Sequence, residues 1–116
     1  ILLDPIYDQS ILDELRGNCR LYIHGHSVGG TNPSLVEAMN LGLCCVVYDV
    51  NYNRETTSNM ALYFKSKNEL LNIINKNWND FEKISSIEND MLKIAKKRFI
   101  WSRIINEYDK IFSNLK

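Results

Sequence analysis

Apolar residues fall along this chain in short runs, separated by polar stretches that carry most of its glycines and prolines. Ile1-Leu2-Leu3 reads as a strand-like run that Asp4-Pro5 ends, since the residue before proline avoids the helical region and proline donates no hydrogen bond. Asp8 can cap a helix with Ile11, Leu12 and Leu15 on one face, stopped by Gly17 and Asn18. Leu21-Tyr22-Ile23, bounded by His24 and Gly25, predicts a short buried strand. Leu35, Val36, Ala38, Met39 and Leu41, closing on Gly42, predict a helix with Pro33 at its first position and Asn32 or Thr31 as its cap. Leu43 to Val47 is continuously apolar and β-branched at its end, as a parallel strand covered on both faces would be. Strand, helix and strand at this spacing make a βαβ unit with a right-handed crossover.

Beyond it the period changes. Residues 51–60, NYNRETTSNM, read as a polar loop, and Ala61-Leu62-Tyr63-Phe64 as a last short strand. From Ser66 the pattern is helical. Ser66 with Glu69 forms a capping box ahead of Leu70, Leu71, Ile73 and Ile74, and Ser85 with Glu88 repeats the signal ahead of Met91, Ile94 and Ala95. Trp101, Ile104, Ile105, Tyr108, Phe112 and Leu115 then fall on one helical stripe, which reads as core packing rather than a ligand site. The expected fold is α/β: three layers, with a short parallel sheet including 21–23 and 43–48, flanking helices and a helical C-terminus.

The stretch 24–39, HGHSVGGTNPSLVEAM, carries the candidate chemistry. Strand, glycine-rich loop and helix start is the arrangement in which backbone N–H groups and the helix dipole converge on an anion, most often a phosphate. Gly29 and Gly30 carry no Cβ, so a ligand can approach their backbone closely. Glu37 lies three residues after Ser34 on the same helical face, and helical side chains lean toward the N-terminus, back toward the loop. A carboxylate there would repel phosphate and suits sugar hydroxyls instead. Together the two features suggest a nucleotide or nucleotide-sugar. A capped helix with one solvated glutamate explains the same spacing.

Composition narrows the choice. With 116 residues and a formal net charge of zero, the chain is one domain at most and lacks the basic face of a nucleic-acid protein. No apolar run approaches the roughly 20 residues of a membrane span, and no signal peptide is visible. Cys19, Cys44 and Cys45 have no metal-ligand spacing; Cys44-Cys45 lies in an apolar run, where burial is expected, and an odd count suits a reducing cytoplasm. No metal and no cofactor is implied. Lys93, Lys96, Lys97 and Arg98 form a basic cluster, read chiefly as a solvated face, with a membrane-surface contact as the lesser alternative. Arg54 and Glu55, beyond the carboxyl end of the second strand, are candidates to border the site, or simply part of a surface connection.

A rival motif overlaps the loop. Gly25-His26-Ser27-Val28-Gly29 matches the G-x-S-x-G nucleophile elbow. That elbow's helix starts near its serine, which would put Gly29, Gly30 and Pro33 in the first two turns, the proline alone at about 3 kcal/mol. The triad also needs a histidine after the serine, and His24 and His26 both precede it. His24 and His26 alternate on one side of an extended segment but lack a third metal ligand nearby.

HGHSVGGTNPSLVEAM resembles the donor-binding segment of bacterial GT-B-fold glycosyltransferases that build capsular and cell-wall polysaccharides, most closely a branch containing rhamnosyltransferases. The likeness continues through VVYDVNYNRETT (46–57) into the C-terminal helices. It implies a Rossmann-like GT-B C-terminal domain, present in part, whose N-terminal domain would precede this chain. It implies that the loop and helix start, with Gly29, Gly30, Thr31, Asn32, Ser34 and Leu35, hold the donor's diphosphate, that His26 lies beside the donor within reach of a phosphate or the sugar, and that Glu37, in the match to Glu37-Ala38-Met39, binds donor hydroxyls. N–H groups from Gly30 to Leu35, Pro33 excepted, would stabilise the leaving diphosphate without a metal. Many relatives carry an earlier glutamate where Gly29 stands here. The resemblance further implies retention at the anomeric carbon, a cytoplasmic enzyme, and a saccharide or lipid-linked saccharide acceptor held by the N-terminal domain. Catalytic groups are not assigned on this chain, which alone should not transfer sugar efficiently. A non-catalytic nucleotide-binding module is the alternative.

Overall fold

The structure, a computed structural model, describes residues 3–115. The opening helix α1 (Gln9–Gly17) starts where Asp8 accepts the N–H groups of Ser10 and Ile11 at 2.9 and 3.2 Å. Strand β1 (Tyr22–His24) leads through the glycine loop to α2 (Pro33–Asn40), where Asn32 caps and Pro33 takes the first position. Helix α2 ends at Leu41, and Gly42 turns the chain at φ +68°, the left-handed conformation that a helix C-terminus favours in glycine. Strand β2 (Cys45–Tyr48) follows, then α3 (Asn51–Thr56), β3 (Leu62–Phe64), α4 (Lys67–Asn77), α5 (Phe81–Arg98) and α6 (Trp101–Ser113).

The strands form one parallel sheet in the order β1-β2-β3, with Tyr22 opposite Cys45 and Val46 opposite Leu62. Two crossovers, through α2 and α3, connect neighbours. The expected parallel pairing of 21–23 with 43–48 is therefore present, and Ala61–Phe64 supplies the third strand. The carboxyl ends of β1 and β2 lie together, bringing the glycine loop and α3 side by side.

Helices α2 and α5 pack on each other and on β2, while α4 packs on β3 and α5. Leu35, Ala38 and Met39 of α2 meet Ile84, Ile87, Met91 and Ala95 of α5 over Cys45 and Val47. Positions 84, 87, 91 and 95 repeat at helical spacing, which is why one stripe of α5 is buried along its length. Cys44 and Cys45 are buried as small apolar residues; burial pushes the Cys44 thiol up to about 11 and that of Cys45 further still.

Five expectations change. The strand run 21–23 is not buried: Leu21 and Tyr22 are half-buried and Ile23 is exposed, because β1 is an edge strand. Residues 51–56 are helical, not loop. Helix α3 is held by polar side chains, with the Thr56 hydroxyl donating to the Tyr52 carbonyl at 2.7 Å and the Thr57 hydroxyl to that of Asn53 at 2.8 Å, so no apolar period announces it. Ser85 and Glu88 lie inside α5, whose cap is Asp80, accepting from the Lys83 N–H at 3.0 Å. The α6 stripe is not core: no residue of that helix is buried, and Trp101 is 78% exposed. Of the opening run, Ile1 and Leu2 lie outside the described residues and Leu3 belongs to no regular element. Helix α6 also lengthens the molecule. Its radius of gyration, 15.9 Å, exceeds the roughly 13 Å expected of a compact chain this long.

Candidate functional site

The loop 25–32 runs exposed from the end of β1 to the start of α2. Gly29 adopts φ +120°, which residues with a Cβ rarely reach, and added Cβ atoms at Gly29 and Gly30 would meet nothing within 4 Å. The backbone N–H groups of Gly29, Gly30, Thr31 and Asn32 have no hydrogen-bond partner among the described residues. Those of Ser34 and Leu35 do: the Asn32 side chain accepts from Ser34 at 3.0 Å and its carbonyl from Leu35 at 3.1 Å. The Ser34 hydroxyl donates to the same cap oxygen at 2.7 Å, and the Leu35 side chain is wholly buried. Free donors therefore lie one to four residues ahead of the helix, rather than extending to Leu35.

Two contacts fix this loop from α3. Asn53, fully buried, donates its side-chain amide to the carbonyls of His26 at 3.0 Å and Tyr48 at 2.9 Å, tying the loop to the end of β2. The hydroxyls of Thr31 and Thr56 approach to 3.4 Å. His24 and His26 stack at 5.7 Å, with Tyr22 on the other side of His24 at 6.2 Å. His24 is buried, and burial together with the nearby His26 lowers its pKa, favouring the neutral ring. His26 is exposed beside the loop. Ser27 lies in the same loop, well ahead of the helix start, unlike a nucleophile elbow.

Glu37 projects from α2 and receives Arg16 of α1 at 2.5 Å. Its side chain keeps 41% of its surface exposed, so one oxygen is oriented by the guanidinium while the group remains reachable. It lines a groove of about 430 Å³ with Thr31, Pro33, Val36 and Asn40 on one side and Phe99, Trp101 and Ile104 on the other. Glu37 and Thr31 thus share a depression that begins at the loop.

Arg54 and Glu55 make their contacts elsewhere. Arg54 pairs with Asp49, holding that carboxyl below the usual carboxylate range, and its guanidinium lies 4.1 Å from the Tyr63 ring centre. Glu55 pairs with Arg98 at 2.8 Å, which ties α3 to the end of α5. Neither has a hydrogen-bond partner in loop 25–32, so their place beyond β2 does not by itself make them part of the site. Lys96, Lys97 and Arg98 occupy the last turn of α5, where cations offset the negative end of the helix dipole.

Sequence reasoning missed Arg16, Asn53 and the α6 wall. Nothing in the spacing of Arg16 links it to Glu37, 21 residues on. Asn53 was hidden in a stretch without apolar period. Trp101 and Ile104 belonged to a stripe that pattern alone assigns to a core. Among the described residues no group of three or more histidines, cysteines and acids could hold a metal ion. No described helix is long and apolar enough to cross a membrane. Comparison with known proteins gives no match: no family model, no curated protein and no solved structure is significantly similar to the chain.

Proposed function

We propose that the chain is the donor-binding part of a glycosyltransferase that takes a nucleoside diphosphate-sugar at the loop between β1 and α2. The observation that carries this reading is two groups of opposite use linked through Thr31, which belongs to the loop and lines the same groove as Glu37. Unpartnered N–H groups from Gly29 to Asn32 suit a diphosphate, and the Glu37 carboxylate suits hydroxyls. Arg16 offsets the charge of Glu37, so the carboxylate need not repel the phosphates. As the sugar–oxygen bond breaks, negative charge grows on the leaving diphosphate, and preorganised N–H donors stabilise it there. The acceptor, a saccharide or lipid-linked saccharide, would be held by an N-terminal domain, with transfer retaining the anomeric configuration in the cytoplasm at or near the membrane face. Rhamnose is the donor sugar that the resemblance favours.

The finer fold belongs to the same proposal: a Rossmann-like, three-layer GT-B donor domain of which this chain is a part. It is supported by apolar side chains left about half or more exposed, among them Ile23 of β1 at 47% and Tyr108, Ile111 and Phe112 further along α6. One observation favours the alternative, a non-catalytic nucleotide-binding module. Gly29 stands where relatives carry their earlier glutamate, in a conformation a glutamate would adopt only under strain.

Thermal melting with and without uridine or thymidine diphosphate tests the binding claim. At a hundred times the dissociation constant, a ligand of the folded state adds about 2.7 kcal/mol, which raises Tm by several degrees. An unchanged Tm at millimolar nucleotide would leave an interaction domain with no nucleotide site.

A further inference from the structure

We propose that Trp101 of α6 is a ligand-binding residue, the platform against which the base of a bound nucleoside stacks while Glu37 accepts from hydroxyls of the same ligand. The inference rests on the nucleotide reading above and goes beyond it, because no expectation assigns α6 to the site.

The groove beside Glu37 has one mixed wall and one apolar wall. From α2 and the loop come Glu37, Thr31 and Asn40, which offer a carboxylate, a hydroxyl and an amide oxygen, alongside the apolar Pro33 and Val36. From the α5–α6 junction come Phe99, Trp101 and Ile104, with no polar group but the indole N–H. An all-apolar peptide would leave the Glu37 carboxylate facing hydrocarbon. A bare phosphate would gain nothing from the indole. A nucleotide has both faces: a planar ring for an aromatic platform and sugar hydroxyls for a carboxylate. At about 430 Å³ the groove is within the range of small-molecule sites.

Trp101 itself argues the same way. It is 78% exposed in the first turn of a helix with no buried residue, so packing alone gives no reason for so large an apolar side chain there. The helix is nonetheless tethered at that end, since the Arg103 guanidinium donates to the Lys97 carbonyl at 2.9 Å. That bond holds the first turn of α6, and with it the indole, next to the groove.

Trp78 and Trp101 are the two tryptophans of the chain, so Trp78→Phe leaves Trp101 as the sole indole reporter. Titrating that variant with uridine diphosphate should change its emission saturably, and inorganic pyrophosphate should leave it unchanged. Trp101→Ala, at an exposed position, should fold as the parent does, with an unaltered circular dichroism spectrum and Tm. Its affinity for uridine diphosphate, measured by calorimetry, should fall roughly five- to a hundredfold, the range of base–aromatic stacking, while pyrophosphate affinity stays as in the parent. If uridine diphosphate binds parent and Trp101→Ala equally, or pyrophosphate alters the emission as the nucleotide does, the platform is refuted and the nucleotide reading stands. If no nucleoside diphosphate binds the parent, both fall.

Discussion

At the scale of single residues, buried His24 stands just ahead of the loop and Gly29 turns within it at positive φ. His24 is buried with its Nε2 unpartnered, between Tyr22 and His26. Its folded pKa is lowered from 6.5 while the unfolded chain keeps the ordinary value. Above about pH 6.5 both states hold it neutral and it costs nothing. As pH falls below 6.5 toward the lowered folded value, the unfolded state gains the proton first, and stability is lost. The protein should therefore melt at a lower temperature at pH 5.5 than at pH 7.5, and His24→Phe should flatten that part of the pH profile. An equal slope in the variant would assign the loss to other groups. Gly29 makes a second test. An alanine at φ +120° costs on the order of 1–3 kcal/mol, and an exposed loop relieves that by changing shape. Gly29→Ala should thus weaken binding of inorganic pyrophosphate several-fold while Tm moves by only a few degrees. Unchanged pyrophosphate affinity would remove the loop conformation from the account.

At the scale of elements, α3 and α6 test which parts of the chain hold the site. Asn53→Ala removes two hydrogen bonds from a fully buried side chain and leaves the His26 and Tyr48 carbonyls without that donor. It should cost about 1–3 kcal/mol in urea unfolding, and a loss near zero would mean that the loop is not held from α3. Ending the chain after Phe99 removes a helix with no buried residue, so the midpoint for the remaining core should barely change. A large drop would show that α6 stabilises the core. The same two elements mark the limit of what the sequence discloses. Helices α1, α2 and α4 were legible because Asp8, Asn32 and Ser66 are caps read by chemistry, and β2 because its apolar run is unbroken. The body of α5 was legible in Met91 and Ala95, but its start was not, because an exposed serine within a helix looks like a cap. Helix α3 escaped because its stability is polar and tertiary. The loop and Glu37 could be named from local spacing, whereas Arg16 and the α6 wall reach the site only through folding.

At the scale of the whole molecule, parallel topology is what assembles the site. Because β1 and β2 run the same way, the segments leaving their carboxyl ends adjoin, and the loop ahead of α2 shares the groove of Glu37 through Thr31. The central claim is that this depression takes a nucleoside diphosphate-sugar through Glu37. Calorimetric titration of the parent and of Glu37→Gln with thymidine diphosphate-rhamnose and uridine diphosphate-glucose addresses it directly. The substitution keeps the size but removes the charge, and the lost pair with Arg16, being partly exposed, should cost no more than about 1 kcal/mol of stability. Hydrogen bonds to a charged group contribute about 1.5–3 kcal/mol each, so affinity for at least one donor should fall roughly tenfold or more. Saturable binding by the parent with that loss in Glu37→Gln is the predicted result. Equal affinity in the two proteins, or no heat with either donor, would contradict the account.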